Sequence, residues 1–495
     1  MKRSIYLLLP ALLSHFIGAS GVPSSRAAAP LAQPQSVVAA TPSRPAADTP
    51  DRLRLALDPM AAPRPALRYT FYHEMIDQIP GNAALAYQQI ARMLSQNEKW
   101  REQSEQLQEW LKMPIAQLPV DAVEAVVAQH ASTLDRLAQA TRHERCDFEI
   151  PIRQDGMNAL LPHLAELRGA ARLLAMEIRL RIRQGRYPDA LERLKAGLTL
   201  ARHTGKGATL IEGLVGIAIA NMMFDRIEEL VAQPGAPNLF WALSDLPPDL
   251  LNLWDAMRWE RCFLYVHMPV LWDVRTRTAT AADLRQSVRE FQKFSGNITL
   301  PPWLSEEENA GMVATAIALA AYPKAVDYLR RQGRSEDEIR RMSAAKILAT
   351  FIGESYAVQR DDLFKWFALP YYEARLGLTR AEASLQEARR KDPIGSILPS
   401  MLLPALTRAA SRFAATERRA ALIRCVEAVR LYAASHDRRL PGSLADIQDV
   451  PIPRDPMTGG AFLYRLEGKT ATLEGPPLSP QEARLSKIYE LTIRP

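Results

Sequence analysis

The spacing of apolar residues is most regular between His163 and Gln233. Apolar side chains recur there at three- and four-residue steps, as on one face of an α-helix: Leu164, Leu167, Ala171, Leu174, Ile178 and Ile182 in the first part. Gly185 ends this first run, and Gly205 and Gly207 end the next one. The pattern predicts three consecutive helices joined by short turns.

The third of these predicted helices is rich in small residues. Gly213, Gly216, Ala218 and Ala220 lie within one apolar run. Because small residues let helix backbones approach closely, we expect this helix to be buried between its neighbours.

The turn between the first two helices has a recognisable sequence. Gly185-Arg-Tyr187-Pro-Asp-Ala190-Leu191, followed by Gly197-Leu-Thr-Leu-Ala201, resembles the second half of a tetratricopeptide unit. The resemblance covers roughly one repeat of about 34 residues and implies a scaffold that binds peptides or proteins. A single helical hairpin would need the same Gly in its turn and Ala at its crossing. A similar pattern over 311–333 lies too far away to form a regular array.

The N-terminus predicts export. Lys2 and Arg3 precede an apolar run, Ile5 to Ala19, as in a secretory signal, and we expect a signal peptide over 1–29. An uncleaved anchor is the alternative, but the run is shorter than the ~20 residues of a membrane span. No span is expected in the mature chain, which should be extracytoplasmic, either periplasmic or secreted. Residues 30–67, rich in Pro and Ala, predict a disordered linker.

The last part of the chain changes character. Ala415–Ser435 is a strongly periodic helix, and the strands Phe462–Leu466 and Thr470–Leu473 flank a turn at 467–469. This order, with Leu440-Pro441 and Asp455-Pro456 between, resembles the C-terminal part of G-type pseudopilins of type II secretion. The resemblance implies a small α+β fold. The hydrophobic N-terminal helix and the acidic calcium loop of that family are not evident, so neither filament assembly nor calcium binding is expected.

These patterns predict a mainly α protein. Its body, 68–414, would be an irregular array of helical hairpins that is tetratricopeptide-like, and 415–495 would form a small α+β module made of a long helix and a β-hairpin. The order of signal, linker, helical body and C-terminal module resembles a group of uncharacterised bacterial secreted proteins. That resemblance implies no particular activity.

Charge and cysteine content exclude several classes of function. The net charge is +7, from 62 basic and 55 acidic residues, and residues 1–67 contribute +4 of it (seven basic minus three acidic). No basic stripe interleaved with aromatic residues occurs, which argues against nucleic-acid binding. Cys146, Cys262 and Cys425 are far apart and have no zinc-binding spacing. We expect no disulfide, and the oligomeric state is not predicted.

The histidines match no catalytic motif. His73-Glu74 and His143-Glu144 begin like a zinc-protease motif, but neither has the second histidine that the motif requires. His163 and His203 lie on the predicted central helices and could approach each other, although a buried, hydrogen-bonded histidine is the commoner case. No catalytic residue, metal site or cofactor is therefore predicted.

The least ordinary stretch lies between two proline clusters, Pro234–Pro237 and Pro247-Pro248. It contains Phe240, Trp241 and Asp245, which we treat as a candidate ligand or peptide subsite beside the central helices. The alternative is a loop whose tryptophan fills the end of a helical layer.

Two functions follow from these observations. The first is a non-enzymatic extracytoplasmic scaffold that binds protein or peptide partners. The second is a cell-envelope hydrolase whose site is assembled only in three dimensions. A cleft with clustered carboxylates or histidines of perturbed pKa would favour the enzyme, whereas a long, shallow groove would favour the scaffold.

Overall fold

A computed structural model gives the fold of the protein. The structure describes residues 51–155, 159, 161–248, 250–272, 274, 278–295, 310–392, 395–396, 398–399 and 403–495. The predicted signal peptide, 1–29, and the linker up to residue 50 lie outside the described residues. Helices dominate the described part and a few strands form sheets, which confirms the mainly α class with a small α+β part.

In chain order, the described helices are α1 (Ala84–Ser95), α2 (Trp100–Lys112), α3 (Val120–Gln129), α4 (Ala131–Ala140), α5 (Ile152–Asp155), α6 (Pro162–Arg183), α7 (Tyr187–Gly205), α8 (Leu210–Val231), α9 (Phe240–Ser244), α10 (Trp254–His267), α11 (Ala281–Ser295), α12 (Ala310–Arg331), α13 (Glu336–Arg341), α14 (Ala344–Phe364), α15 (Tyr371–Lys391), α16 (Pro404–Ser435) and α17 (Pro480–Ala483). Among these described helices, none is both long and apolar enough to cross a membrane.

The strands form two sheets: β1 (Asp51–Leu57), β2 (Ile79–Asn82), β3 (His143–Arg145), β4 (Leu463–Glu467), β5 (Thr470–Glu474) and β6 (Lys487–Ile493). The larger sheet has the order β1-β6-β5-β4, with β1 parallel to β6 and the other pairs antiparallel. The smaller sheet is the parallel pair β2-β3. The two strands of the predicted C-terminal hairpin are confirmed as β4 and β5.

The three central helices, α6, α7 and α8, confirm the strongest prediction from the apolar pattern. Gly185 lies between α6 and α7 with φ of 71°, a left-handed conformation that glycine adopts without a Cβ clash. Thr209 and Glu212 form a capping box that begins α8. A Cβ on Gly216 of α8 would lie 2.6 Å from the Cα of Gly205, so the backbones of α7 and α8 are in direct contact.

The first described strand corrects the predicted linker. Residues 51–57, which we placed in a disordered segment, pair with β6 along their whole length. Leu55 and Leu57 are buried, whereas Arg52, Arg54 and the other alternate residues are exposed, as expected for a half-buried strand. Strand β1 is short, and its pairing partner β6 lies near the other end of the chain. The local sequence gives no sign of this pairing, so its composition alone suggested disorder.

The predicted boundary between helical body and C-terminal module is also absent from the fold. α16 runs without a break from Pro404 to Ser435 and so crosses residues 414 and 415. One core contains Leu57 of β1, Leu174 of α6, Ala428 of α16 and Tyr489 of β6. Smaller clusters of buried residues lie around α10–α14.

Candidate functional site

A cavity of about 520 Å³ lies where four separate segments meet. We call it the histidine cavity, because three histidines line it: His73, before β2; His143, on β3; and His203, near the end of α7. The fourth segment follows α9 and contributes Asp245, Pro247 and Pro248. This volume falls within the usual range for small-ligand sites, about 300–1,000 Å³.

Asp245 is fixed at the edge of the histidine cavity by a tyrosine. Tyr72 Oη donates a hydrogen bond to Asp245 Oδ2 over 2.7 Å. This hydrogen bond, with burial, raises the pKa of Tyr72 to about 12, so the phenol stays protonated at neutral pH. The other carboxylate oxygen of Asp245, Oδ1, takes no part in this bond and can accept a hydrogen bond from a ligand.

His73 is held by a threonine. Thr141 Oγ1 lies 3.1 Å from His73 Nε2 and donates its own proton to the carbonyl of Ala138 over 2.7 Å. Since the hydroxyl proton is committed to that carbonyl, His73 Nε2 must be the donor to Thr141. His73 therefore does not activate Thr141 as a nucleophile, an activation that would require the hydroxyl to donate to the imidazole.

His203 is the most buried of the three histidines, with only 3% of its surface exposed. Its Nδ1 lies 2.9 Å from Tyr87 Oη, which has no other partner among the described residues. The tyrosine proton therefore points to Nδ1, which places the imidazole proton on Nε2. In the part of the chain that the structure describes, this buried Nε2 has no hydrogen-bond partner. A ligand that places an acceptor oxygen near this N–H would form the missing hydrogen bond and be stabilised by it.

His143 is brought to the histidine cavity by strand pairing. It begins β3, where it pairs with Ile79 of β2. Its Nδ1 is buried and, among the described residues, lacks a hydrogen-bond partner. The neighbouring Glu144 accepts a hydrogen bond from the backbone N–H of Gly81 over 3.2 Å, which ties the two strands together at the cavity.

Burial makes His73 and His203 poor bases. Desolvation lowers the pKa of His73 to about 4, and it lowers the pKa of His203 to about 3, with further contributions from nearby cations. Both imidazoles are neutral at pH 7. An effective general base has a pKa near the working pH, so these two side chains are suited to hydrogen bonding rather than to proton abstraction.

The structure separates the three predicted binding residues. Asp245 lines the histidine cavity, but Phe240 is fully buried (0% exposed) and packs edge-to-face on Trp241 with ring centroids 5.2 Å apart. Trp241 is half-buried against the main core, and the Arg424 guanidinium lies over the Phe240 ring. Neither aromatic side chain lines the cavity. In this structure they anchor α9 to the core, and only Asp245 is placed to meet a ligand.

Sequence reasoning noted each histidine separately and missed their convergence. His163 and His203, which the sequence showed could approach each other, lie in different surroundings. His203 reaches the cavity, whereas His163 stacks on Phe148 with ring centroids 4.0 Å apart. Across the described residues, no group of three or more His, Cys, Asp or Glu side chains is arranged to hold a metal ion. The three cysteines are free.

Comparison of the chain with models of known protein families, with curated proteins and with solved structures found no match. The function must therefore be argued from the cavity and its chemistry.

Proposed function

We propose that the protein is a non-enzymatic, extracytoplasmic binding protein that takes a peptide segment of a partner in the histidine cavity. The extracytoplasmic location rests on the N-terminal sequence pattern. The observation that supports binding most directly is the buried Nε2 of His203, a hydrogen-bond donor without a partner among the described residues. A peptide carbonyl oxygen is the acceptor that such a donor fits.

The rest of the lining supports a peptide as the ligand. The cavity offers an acceptor in Asp245 and polar side chains in Thr199 and Ser244, so it can meet both the N–H and the C=O groups of a backbone. Apolar side chains in its lining offer a place for a ligand side chain: Phe71, Leu198, Leu246 and Leu250. Neutral imidazoles recognise dipoles without requiring a charged ligand.

Affinity selection tests this proposal. The mature chain is incubated with a mixture of N-acetylated tetrapeptides, and the retained peptides are identified by mass spectrometry. We expect a defined subset to be retained intact. His203→Phe should weaken its binding about tenfold or more, because one buried hydrogen bond is lost, and Asp245→Asn should change which peptides are retained.

His436→Phe is the matched control, because His436 is exposed and does not line the cavity. It should retain the same peptides as the unmodified chain. Thermal unfolding of each variant shows whether it is folded. Retention of no peptide, or of one subset by all variants alike, would contradict the proposal.

A second candidate is the cell-envelope hydrolase, and the convergence of His73, His143 and His203 favours it. These are clustered histidines, and burial perturbs the pKa of two of them, as expected of an active site. Burial moves the pKa values of these two histidines away from neutral pH, whereas a general base needs a pKa near it. The direction of the shift therefore supports the binding function instead. The same peptide experiment separates the two, because recovery of cleaved peptides in excess of the protein would establish hydrolysis.

A further inference from the structure

A second cavity, of about 500 Å³, lies between α8, α16 and the segment that precedes β6. We call it the arginine cavity. One wall is apolar and consists of residues from α8: Ile211, Leu214, Val215, Ala218 and Met222. Four arginines from four different segments also line it: Arg168, Arg226, Arg412 and Arg484. No predicted site residue lies here, and the cavity shares no lining residue with the histidine cavity.

Three further cations at this cavity are already bound by carboxylates. Arg418 forms a buried bidentate pair with Asp455, and Arg419 is bound by Glu228 and Asp225. Lys487 Nζ lies 2.9 Å from Glu228 Oε2. These pairs join α16 to α8 and to the segment before β4, and they join β6 to α8. Because carboxylates of the protein pair with these three cations, we treat them as structural parts of the cavity wall.

Arg226 is different. It is only 4% exposed, and its nearest carboxylate, Glu229, is shared with Arg179, since both Nε atoms lie 3.1 Å from Glu229 Oε2. Among the described residues, Nε and Nη1 of Arg226 have no hydrogen-bond acceptor of adequate geometry. A guanidinium that is buried with incomplete hydrogen bonding is costly, and an anion in the cavity would stabilise it.

The ion pairs around Arg226 share their carboxylates. Four cations, Arg179, Arg226, Arg419 and Lys487, are in ion-pair contact with four carboxylates, Asp51, Asp225, Glu228 and Glu229, and the contact between Lys487 and Asp51 is the longest, at 3.9 Å. Burial also lowers the pKa of Arg168 and of Arg412. An anion in the cavity would stabilise the charged form of these buried guanidinium groups.

We propose that the arginine cavity binds a single-chain carboxylate amphiphile, with its carboxylate among the arginines and its hydrocarbon chain along the apolar wall of α8. Arginine binds a carboxylate through two parallel N–H donors, which gives both strength and orientation. The apolar wall supplies the hydrophobic contribution that an inorganic anion could not use.

The N-terminal segment of the same chain is a poor occupant. Asp51, the first described residue, lines the arginine cavity. Residues 30–50, which the expected mature chain retains, carry one basic and one acidic side chain, Arg44 and Asp48. This segment has no net negative charge to offer the arginines, which favours an external anion over it.

Calorimetric titration of the mature chain tests the proposal. The probes are dodecanoate, dodecyltrimethylammonium with the same chain and the opposite charge, and acetate with the same headgroup and no chain, all below micelle formation. We expect saturable binding of dodecanoate only. Equal binding of both long-chain probes, or no binding of dodecanoate, would overturn the proposal.

Variants locate the site. Arg412→Gln should weaken dodecanoate binding about tenfold or more, because a charge-assisted hydrogen bond is lost. Arg408→Gln is its control, since Arg408 lies one turn away on α16, is exposed and does not line the cavity. Ala218→Trp should fill the cavity and abolish binding while the melting temperature shows a folded chain. Equal losses in Arg412→Gln and Arg408→Gln would overturn the assignment of this cavity.

Discussion

At the scale of single residues, the buried histidines couple the stability of the fold to pH. The ordinary pKa of a histidine is about 6.5. Burial lowers the pKa of His73 and of His163 to about 4, and that of His203 to about 3. Above pH 6.5 these side chains are neutral in both the folded and the unfolded chain. Below it, the unfolded chain takes up protons that the folded chain resists, so stability is lost as the pH falls from 6.5 towards 4 and 3.

This loss of stability at low pH gives a prediction for His203. Its contribution to the free energy of unfolding should fall by about 2 kcal/mol between pH 7 and pH 5, given about 1.4 kcal/mol for each pKa unit. Urea denaturation at the two pH values measures the change. In His203→Phe the loss should be smaller by that amount, because the unfolded variant has one fewer proton to bind. His436→Phe, which alters an exposed histidine, should lose as much as the unmodified chain; a similar loss in His203→Phe would contradict the burial argument.

The candidate site shows what a sequence can say about single residues. Asp245 was selected because prolines and aromatic residues flank it, and it does reach the histidine cavity. Phe240 was selected for the same reason, yet its burial is complete. His73, His143 and His203 are brought together by a loop, a strand pair and a helix end that are far apart in the chain. No spacing of residues along the sequence indicates that these three side chains lie close together, so the sequence could not predict the cavity.

At the scale of helices and strands, local periodicity predicted well where one helix continues without a break. The central helices α6, α7 and α8 are the example. Periodicity does not locate the break between Ser95 and Trp100, which separates α1 from α2. Apolar spacing continues across this break, because both helices turn an apolar face to the same core. Strand β1 was missed because its pairing partner, β6, lies at the other end of the described chain; β6, which also pairs with β5, was missed as well.

The contact between α7 and α8 gives a prediction with an internal control. A Cβ on Gly216 would lie 2.6 Å from Gly205 Cα and 2.8 Å from the carbonyl oxygen of Ala201, and neither backbone atom can move aside cheaply. Gly216→Ala should therefore destabilise the fold by about 1–3 kcal/mol, as overpacking does. Urea denaturation measures the change.

Gly205→Ala is the matched variant from the other side of the same crossing. There a Cβ would lie 3.5 Å from Gly216 Cα, an ordinary van der Waals contact. Alanine is also the better helix former, by about 1 kcal/mol at most. Gly205→Ala should leave stability unchanged or raise it slightly. Equal destabilisation by both variants would show that the two backbones are not packed as described.

At the scale of the whole molecule, the two ends of the described part of the chain form one sheet. β1 is the first described element and pairs with β6, the last. Between them, α16 extends from the helical body into the C-terminal part, and Arg419 of this helix binds Asp225 and Glu228 of α8. A domain division at 414/415, as the sequence suggested, would cut α16 and separate these charges. Composition changes along the chain do not mark such a division in space.

The expected consequence is that residues 68–414 do not fold alone. This fragment lacks β1 and most of α16, so it exposes buried α8 side chains and leaves the carboxylate of Glu228, only 4% exposed, without Arg419 and Lys487. Loss of the partners of a buried charge costs about 3–5 kcal/mol, a large part of the ~5–15 kcal/mol that stabilises a typical fold. Thermal unfolding followed by circular dichroism should show one cooperative transition for 51–495 and a gradual, non-cooperative change for 68–414. A sharp transition in the shorter fragment would establish instead that the helical body has a core of its own and that the sheet of both chain ends is an addition to it.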